Sequence, residues 1–200
     1  MLRNWAIAEA SSIRRWRDIH NNLPQDTAEK INKKNYKQLT PTDHNALEEM
    51  IVQIRAPLLK GLLPIKPQWY KGYLSSEDLM ELEMMNWPDF VNLANSRRLL
   101  DLVKAFEEGK MPNNHHEFAA NLDRIRDDLN LSNMVGSPII LSRSKNPPYY
   151  LVEGFTRCSA ILMNMREGKF TEEQIPIMLG VSDRFDEWYL NDDKKGLKLY

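Results

Sequence analysis

Residue types suited to binding a phosphate group are concentrated in the run Glu-Gly-Phe-Thr-Arg, residues 153–157. If a strand ends at Glu153 and a helix begins at Phe155, the first helical amides point outward without partners and attract anions. Gly154 would permit a tight turn and close approach of a ligand. Thr156 adds a hydroxyl group, and Arg157 adds a charged planar fork that matches phosphate oxygens. The run therefore predicts an anion site.

The carboxylate of Glu153 has three possible roles at such a site. It could accept a proton, help to hold a metal ion, or pair with Arg157. In the simplest alternative, Gly154 only makes a turn and Arg157 only pairs with Glu153. Arg143 lies in the turn between the first two predicted strands, and in a small sheet this turn could approach Gly154. Arg143 is therefore a weaker candidate for a ligand contact, as are Ser144 and Lys145 beside it.

The elements that must position this run are short strands and amphipathic helices. Runs rich in β-branched and apolar residues predict three strands, at 138–142, 149–153 and 175–181. Apolar residues at helical spacing predict helices over 117–129, 155–166 and 183–190. Trp188 is expected to anchor the last of these helices onto the sheet.

The first 115 residues show mainly helical patterns. Helices are predicted over 2–20, from Thr42 or Asp43 to a kink or end at Pro57, from Ser75, and from Pro88 to Gly109. Residues 21–40 are polar and predict a loop with at most one helical turn, and 61–67 predict a turn. The expected fold is α+β, with a helical N-terminal region at 1–115 and a mixed sheet with helices at 116–200.

The order of these elements and the run Tyr-Leu-Val-Glu-Gly-Phe-Thr-Arg-Cys-Ser-Ala at 150–160 resemble the ParB N-terminal domain/sulfiredoxin-like superfamily. The resemblance covers roughly residues 117–181. It implies that the turn from Gly154 to Arg157 binds nucleotide phosphates, with a nucleoside triphosphate and Mg²⁺ as the expected cofactor. The candidate catalytic residues are Glu153 and Arg157, and the candidate ligand-binding residues are Gly154, Phe155, Thr156, Arg157 and Arg143.

Two departures from the family pattern limit the chemistry that the resemblance implies. Phe155 stands where sulfiredoxin carries its catalytic cysteine, so reductase chemistry is not expected. Phe155 and Thr156 stand where the ParB-type CTP switch carries a glutamate and an arginine, so CTP hydrolysis is not implied. Cys158 is expected to be a small buried helical residue.

The resulting hypothesis is a protein that binds a nucleotide or another phosphate ligand, with phosphoryl transfer or phosphodiester hydrolysis as the natural reaction class. The sequence leaves open whether it is an enzyme. The alternative is a non-enzymatic scaffold that binds a protein or a nucleic acid, in the phage, mobile-element or defence settings where members of the superfamily often occur. No prediction of oligomeric state follows.

Composition excludes several classes of protein. The chain has 200 residues, with 27 Lys and Arg against 28 Asp and Glu and a formal net charge of −1, so it does not coat nucleic acid by overall charge. Its one cysteine excludes an internal disulfide framework and a cysteine-only zinc site. We find neither an apolar run long enough to span a membrane nor a signal peptide, and we expect a cytoplasmic protein.

Three further clusters have simple structural interpretations. The residues Arg14, Arg15, Trp16 and Arg17 could touch nucleic acid, but a solvated helix face is the simpler expectation. The same holds for the lysines at 30, 33, 34 and 37. The pair His115 and His116 has no third ligand at a spacing typical of a zinc site, so no metal is expected there.

Overall fold

The computed structural model describes residues 2–10, 23–111, 116–131, 136–171 and 174–188. Its backbone packing divides the chain into two compact units. The first comprises Met1–Lys60 with Asn133–Ser137, and the second comprises Gly61–Ser132 with Pro138–Tyr200. This division into compact units is not a division into domains, so the predicted domain boundary after residue 115 stays a prediction.

The first unit is helical in its described part. Its helices are α1 at Leu2–Ala10, α2 at Gln25–Asn32 and α3 at Pro41–Ile54, with a short 3₁₀ turn at Tyr36–Gln38. Helix α1 packs on α2 and α3, and its core includes the fully buried Trp5, Leu47 and Ile51. The loop predicted over 21–40 was therefore wrong for α2, whose polar sequence buries only Thr27, Ala28 and Ile31.

Helix α3 begins two or three residues earlier than the sequence indicated. Its N-cap is Thr40 rather than Thr42 or Asp43, with Pro41 in the first helical position. Asp43 instead completes the cap, because its carboxylate accepts a hydrogen bond from the Thr40 amide. As expected from Pro57, α3 ends at Ile54 and a new helix, α4, spans Ala56–Leu62.

The second unit combines helices with one five-stranded sheet. Its described elements are, in chain order, β1 Gln68–Leu74, α5 Ser76–Met80, β2 Glu83–Met84, α6 Pro88–Ala94, α7 Leu99–Glu107, α8 His116–Asp127, β3 Ile139–Ser142, β4 Tyr150–Glu153, α9 Phe155–Arg166, β5 Ile175–Val181 and a 3₁₀ turn at Phe185–Glu187.

The strand order across the sheet is β1-β5-β3-β4-β2. Strands β3 and β5 run parallel, as do β4 and β2, whereas β1 is antiparallel to β5 and β3 is antiparallel to β4. The sheet is therefore mixed, and two of its strands come from the region that was predicted to be helical.

Strands β1 and β2 escaped prediction for a physical reason. Both lie at the edges of the sheet, and β1 buries only Leu74 fully, so its sequence lacks the clear apolar alternation of a half-buried strand. Strand β2 contains two residues only. By contrast, β3, β4, β5 and α9 were predicted close to their observed bounds, because the central strands are continuous apolar runs.

The single long helix predicted over 88–109 was wrong. The segment forms two helices, α6 and α7, and α6 ends at Asn95, which has a left-handed φ of 53°. Arg98 is the N-cap of α7, and the Arg97 guanidinium lies 5.5 Å from the centre of the Tyr150 ring. After this interruption, the Leu99 amide donates a hydrogen bond to the Leu82 carbonyl at 2.9 Å.

The predicted C-terminal anchor, Trp188, follows a 3₁₀ turn rather than lying in a helix. Trp188 is fully buried, and its ring lies 5.8 Å from that of Phe185, which in turn lies 4.7 Å from Tyr150 on β4. The expected last helix is only the 3₁₀ turn Phe185–Glu187 in the described residues, and its predicted end falls outside them.

The α+β class is confirmed. Within the described residues, no helix combines the length and apolar character that crossing a membrane requires.

Candidate functional site

The predicted joint between a strand and a helix is present at residues 153–155. Strand β4 ends at Glu153, and α9 begins at Phe155, with Gly154 as its N-cap at φ 105° and ψ 20°. The first hydrogen bond of the helix joins the Cys158 amide to the Gly154 carbonyl at 2.8 Å. The amides of residues 155–157 therefore precede the helical ladder, at the positive end of the helix dipole.

Gly154 is required by the turn and by a neighbouring proline. Its positive φ disfavours any other residue, and a Cβ atom there would lie 3.0 Å from Pro138 Cβ and 3.1 Å from Pro138 Cα. Pro138 precedes β3, and its carbonyl accepts a hydrogen bond from the Met178 amide of β5 at 2.9 Å. The close approach that glycine permits here is that of the sheet's own backbone.

Arg157 and Glu153 form an ion pair across the joint. Arg157 Nη2 lies 2.6 Å from Glu153 Oε2, one helical turn away in sequence. The side chains are 13% and 21% exposed, so the pair is shielded but still reached by solvent. The structure thus brings both predicted catalytic residues together, in the pairing that the simplest alternative described.

The side chain of Phe155 is part of a buried aromatic cluster. It is buried, and its ring lies 5.2 Å from that of Phe90 on α6. Phe90 also contacts Phe118 on α8 at 5.4 Å, and Phe118 contacts Phe106 on α7 at 5.3 Å. Only the backbone amide of Phe155 can serve a ligand, while its ring packs the start of α9 against Phe90 on α6.

Phe90 and Pro138 are the residues near the joint that sequence reasoning missed. Strand β2 runs parallel to β4, so the segment that leads from β2 to α6 leaves the sheet at the same end of the strands as Gly154. The signals were weak. Pro138 ends the run Gly-Ser-Pro and begins a predicted strand, and Phe90 lies three residues after Trp87 near the start of a predicted helix.

Three other side chains on the first turns of α9 differ in their environment. Thr156 is half-buried. Cys158 is fully buried, as predicted, and burial raises the pKa of its thiol to about 12. Ser159 is also fully buried, and its Oγ finds no partner among the described residues.

Arg143 is not brought to the joint. It follows β3, whose first residue, Ile139, lies opposite Glu153, so Arg143 is displaced by about 13 Å along the strand. There it forms an ion pair with Asp186. Ser144 and Lys145 lie in the same turn. The prediction that this turn approaches Gly154 was wrong. Strands β3 and β4 are antiparallel, so the turn joins the C-terminal end of β3 to the N-terminal end of β4, whereas Gly154 follows the C-terminal end of β4.

The basic residues noted in the first unit are only partly described. Lys30 Nζ lies 2.6 Å from an oxygen of Asp26 and 2.9 Å from one of Asp43, so Lys30 contributes to folding rather than to a free basic face. The arginines at 14, 15 and 17, with Trp16, lie outside the described residues, as does His115. The described residues hold no cluster of three or more metal-ligating His, Cys, Asp or Glu side chains.

Comparisons with protein-family models, curated proteins and solved structures found no match for this chain. The resemblance to the ParB/sulfiredoxin-like superfamily therefore rests on the residues of 117–181 and on the order of their elements.

Proposed function

We propose that the joint at Glu153–Arg157 binds the phosphate group of a nucleotide or of another phosphorylated ligand. The observation that carries the proposal is the start of α9 at Gly154. This N-cap has no side chain to occupy the first helical amides, and Arg157 lies in the first turn of the same helix.

Each group at the joint would have a separate role. The amides of residues 155–157 and the Thr156 hydroxyl would donate hydrogen bonds to phosphate oxygens, and Arg157 would neutralise their charge. Glu153 Oε2 forms an ion pair with Arg157 Nη2 at 2.6 Å. A phosphate would therefore compete with this carboxylate for the guanidinium group or draw the guanidinium group away from it. Binding would thus exchange one charged partner of Arg157 for another.

Mg²⁺ fits the joint only as an ion that arrives with a nucleotide. It usually binds through one or two carboxylates together with substrate phosphates, and Glu153 is the acidic residue that the joint offers. A site of this kind would support phosphoryl transfer or phosphodiester hydrolysis, since positioning and charge neutralisation supply most of the catalysis. In that reaction class, Glu153 would be the candidate base.

Thermal unfolding with and without ligands tests the binding proposal. The probes are ATP, ADP, CTP, GTP and inorganic phosphate, each with and without Mg²⁺. A ligand at about 100 times its Kd should stabilise the protein by about 2.7 kcal/mol and raise its Tm by several degrees. We expect Arg157→Ala to lose most of that increase, measured against its own ligand-free Tm.

The matched control is Arg166→Ala, on the last turn of the same helix. Arg166 Nε also pairs with a carboxylate, 3.0 Å from Glu107 Oε1, but it lies far from the helix start. This variant should keep the full ligand response. Glu153→Gln should also bind phosphate, because it removes the competing carboxylate, whereas any Mg²⁺-dependent gain should shrink.

Two results would count against the site. The absence of any Tm increase with all five probes would refute phosphate binding and favour the non-enzymatic scaffold. An increase that Arg157→Ala and Arg166→Ala retain equally would place the ligand elsewhere on the protein.

A further inference from the structure

Strand β1 forms one edge of the sheet in the second unit. It pairs with β5 over its whole length, from Gln68 opposite Val181 to Leu74 opposite Ile175. Its other edge pairs with no strand in the described part of the chain. Seven residues extend for about 24 Å, and alternate amides and carbonyls along this edge point away from the sheet.

Large apolar side chains are exposed on and beside this strand. Tyr73 is 66% exposed, Leu63 shortly before β1 is 70% exposed, and Met80 on α5 is 38% exposed. Helix α5 packs against β1. Three of the four large apolar side chains that stand out as exposed in the described residues thus belong to β1 or to the segments next to it.

The charge along this strand has one sign. Strand β1 contains no acidic residue, and Lys71 at its centre is exposed. Lys66, just before the strand, is exposed as well, and the Lys145 ammonium lies 4.3 Å from the centre of the Tyr70 ring. Within the described residues these three lysines form no ion pair, whereas Lys104, Lys110 and Lys169 each pair with a carboxylate.

We propose that the open edge of β1 binds an extended, acidic segment of a partner protein as an added strand. Backbone hydrogen bonds would supply affinity, while Lys71 and Tyr73, which share one face of the strand, would select acidic and apolar side chains. A second copy of this chain fits less well. Antiparallel pairing of two β1 strands about Lys71 would place like charges directly opposite each other.

Fluorescence anisotropy with short labelled peptides tests this proposal. The probe is a nine-residue peptide of alternating glutamate and valine, which places its carboxylates on one face when extended. Its controls are the lysine-valine counterpart and the same acidic peptide with N-methyl groups on alternate amides. We expect the acidic peptide to bind, and the other two to bind at least about tenfold more weakly, which corresponds to about 1.4 kcal/mol.

Charge-reversal variants locate the binding edge. Lys71→Glu should weaken binding of the acidic peptide by about tenfold or more, because it turns an attraction into a repulsion. Lys110→Glu is the matched control, since Lys110 is an exposed lysine on a different segment, and it should bind within about twofold of the parent. Arg157→Ala should also bind normally, which separates this edge from the proposed phosphate site.

Hydrogen exchange supplies a structural readout. The acidic peptide should slow amide exchange within residues 68–74 and leave the amides of β3 unchanged. The proposal fails if neither the acidic peptide nor its controls bind, if the lysine peptide binds equally well, or if Lys71→Glu binds like the parent. It also fails if light scattering shows a dimer that Lys71→Glu disrupts, because the edge would then belong to a second copy.

Discussion

Two helices of this protein begin in opposite ways. Helix α3 begins with a closed capping box, in which the Asp43 amide donates to Thr40 Oγ1 at 3.2 Å and the Thr40 amide donates to Asp43 Oδ2 at 2.7 Å. Asp43 is buried and also accepts bonds from Thr27 Oγ1 at 2.5 Å and Lys30 Nζ at 2.9 Å. Helix α9 begins at Gly154, which has no side chain with which to cap.

The difference separates a helix start that stabilises the fold from one that can take a ligand. At α3, the protein supplies its own anion, so the positive end of the helix and a neighbouring lysine are already satisfied. At α9, the nearest carboxylate, Glu153, pairs with Arg157 instead of capping the amides. A single substitution at each helix start tests this difference.

The largest expected effect is at the closed start. Asp43→Asn removes the charge that Thr27, Thr40 and Lys30 surround, and we expect it to lower the free energy of unfolding by about 3 kcal/mol at pH 7. The Thr27 hydroxyl bond, together with the Thr40 amide and Lys30, holds the pKa of Asp43 well below its usual value.

The sign of this pKa shift predicts the effect of acid. A carboxylate with a lowered folded-state pKa stabilises the protein above its unfolded pKa, and this contribution is lost as the pH falls. With an unfolded pKa near 3.9, the difference between the parent and Asp43→Asn should shrink by about 1 kcal/mol between pH 7 and pH 3. Urea unfolding at both pH values measures it. A difference that stays constant would mean that the charge of Asp43 does not stabilise the fold.

The next effect is at the open start. Gly154→Ala places a Cβ atom at a positive φ and within 3.1 Å of Pro138, so we expect a loss of about 2 kcal/mol in urea unfolding. Gly168→Ala is the control, because Gly168 also has a positive φ, of 69°, but a Cβ there meets no atom within 4 Å. It should lose only about 1 kcal/mol. Equal losses would mean that the contact with Pro138 does not constrain the joint.

The smallest effect has the opposite sign. Ser159→Ala on α9 removes a buried hydroxyl without a partner among the described residues, so it should raise the free energy of unfolding by about 0.5–1 kcal/mol. Ser142→Ala is the matched control, since the buried Ser142 Oγ donates to the Pro148 carbonyl at 2.9 Å. That variant should lose about 1 kcal/mol. Destabilisation by Ser159→Ala would show that its hydroxyl is satisfied in solution.

The extent to which the sequence predicted the fold depends on how local each signal was. The apolar strands β3 to β5 and the helix α9 were predictable, because most of their residues are buried. The edge strand β1 and the polar helix α2 were not, because each buries few residues and depends on a neighbour for its conformation. The break between α6 and α7 at Asn95 was not predictable either, because no proline or glycine marks it in the sequence.

The candidate site divides in the same way. The run from Glu153 to Arg157 contains its own turn residue and helix start, so its local geometry could be inferred. The wrong placement of Arg143 arose from strand direction, which no residue near it specifies. The contacts of Gly154 with Pro138 and of Phe155 with Phe90 join residues distant in sequence, and no local pattern indicates them.

What the sequence by itself determined is the strand, glycine and helix at 153–155, since apolar β-branched residues, a glycine and helical spacing act over a few residues. The tertiary structure decided what surrounds that joint. It placed Pro138 against Gly154, packed the Phe155 ring against Phe90, and left β1 at the edge of the sheet with its one lysine, Lys71, exposed. These outcomes follow from strand order and register, which are set by packing across the whole unit rather than by neighbouring residues.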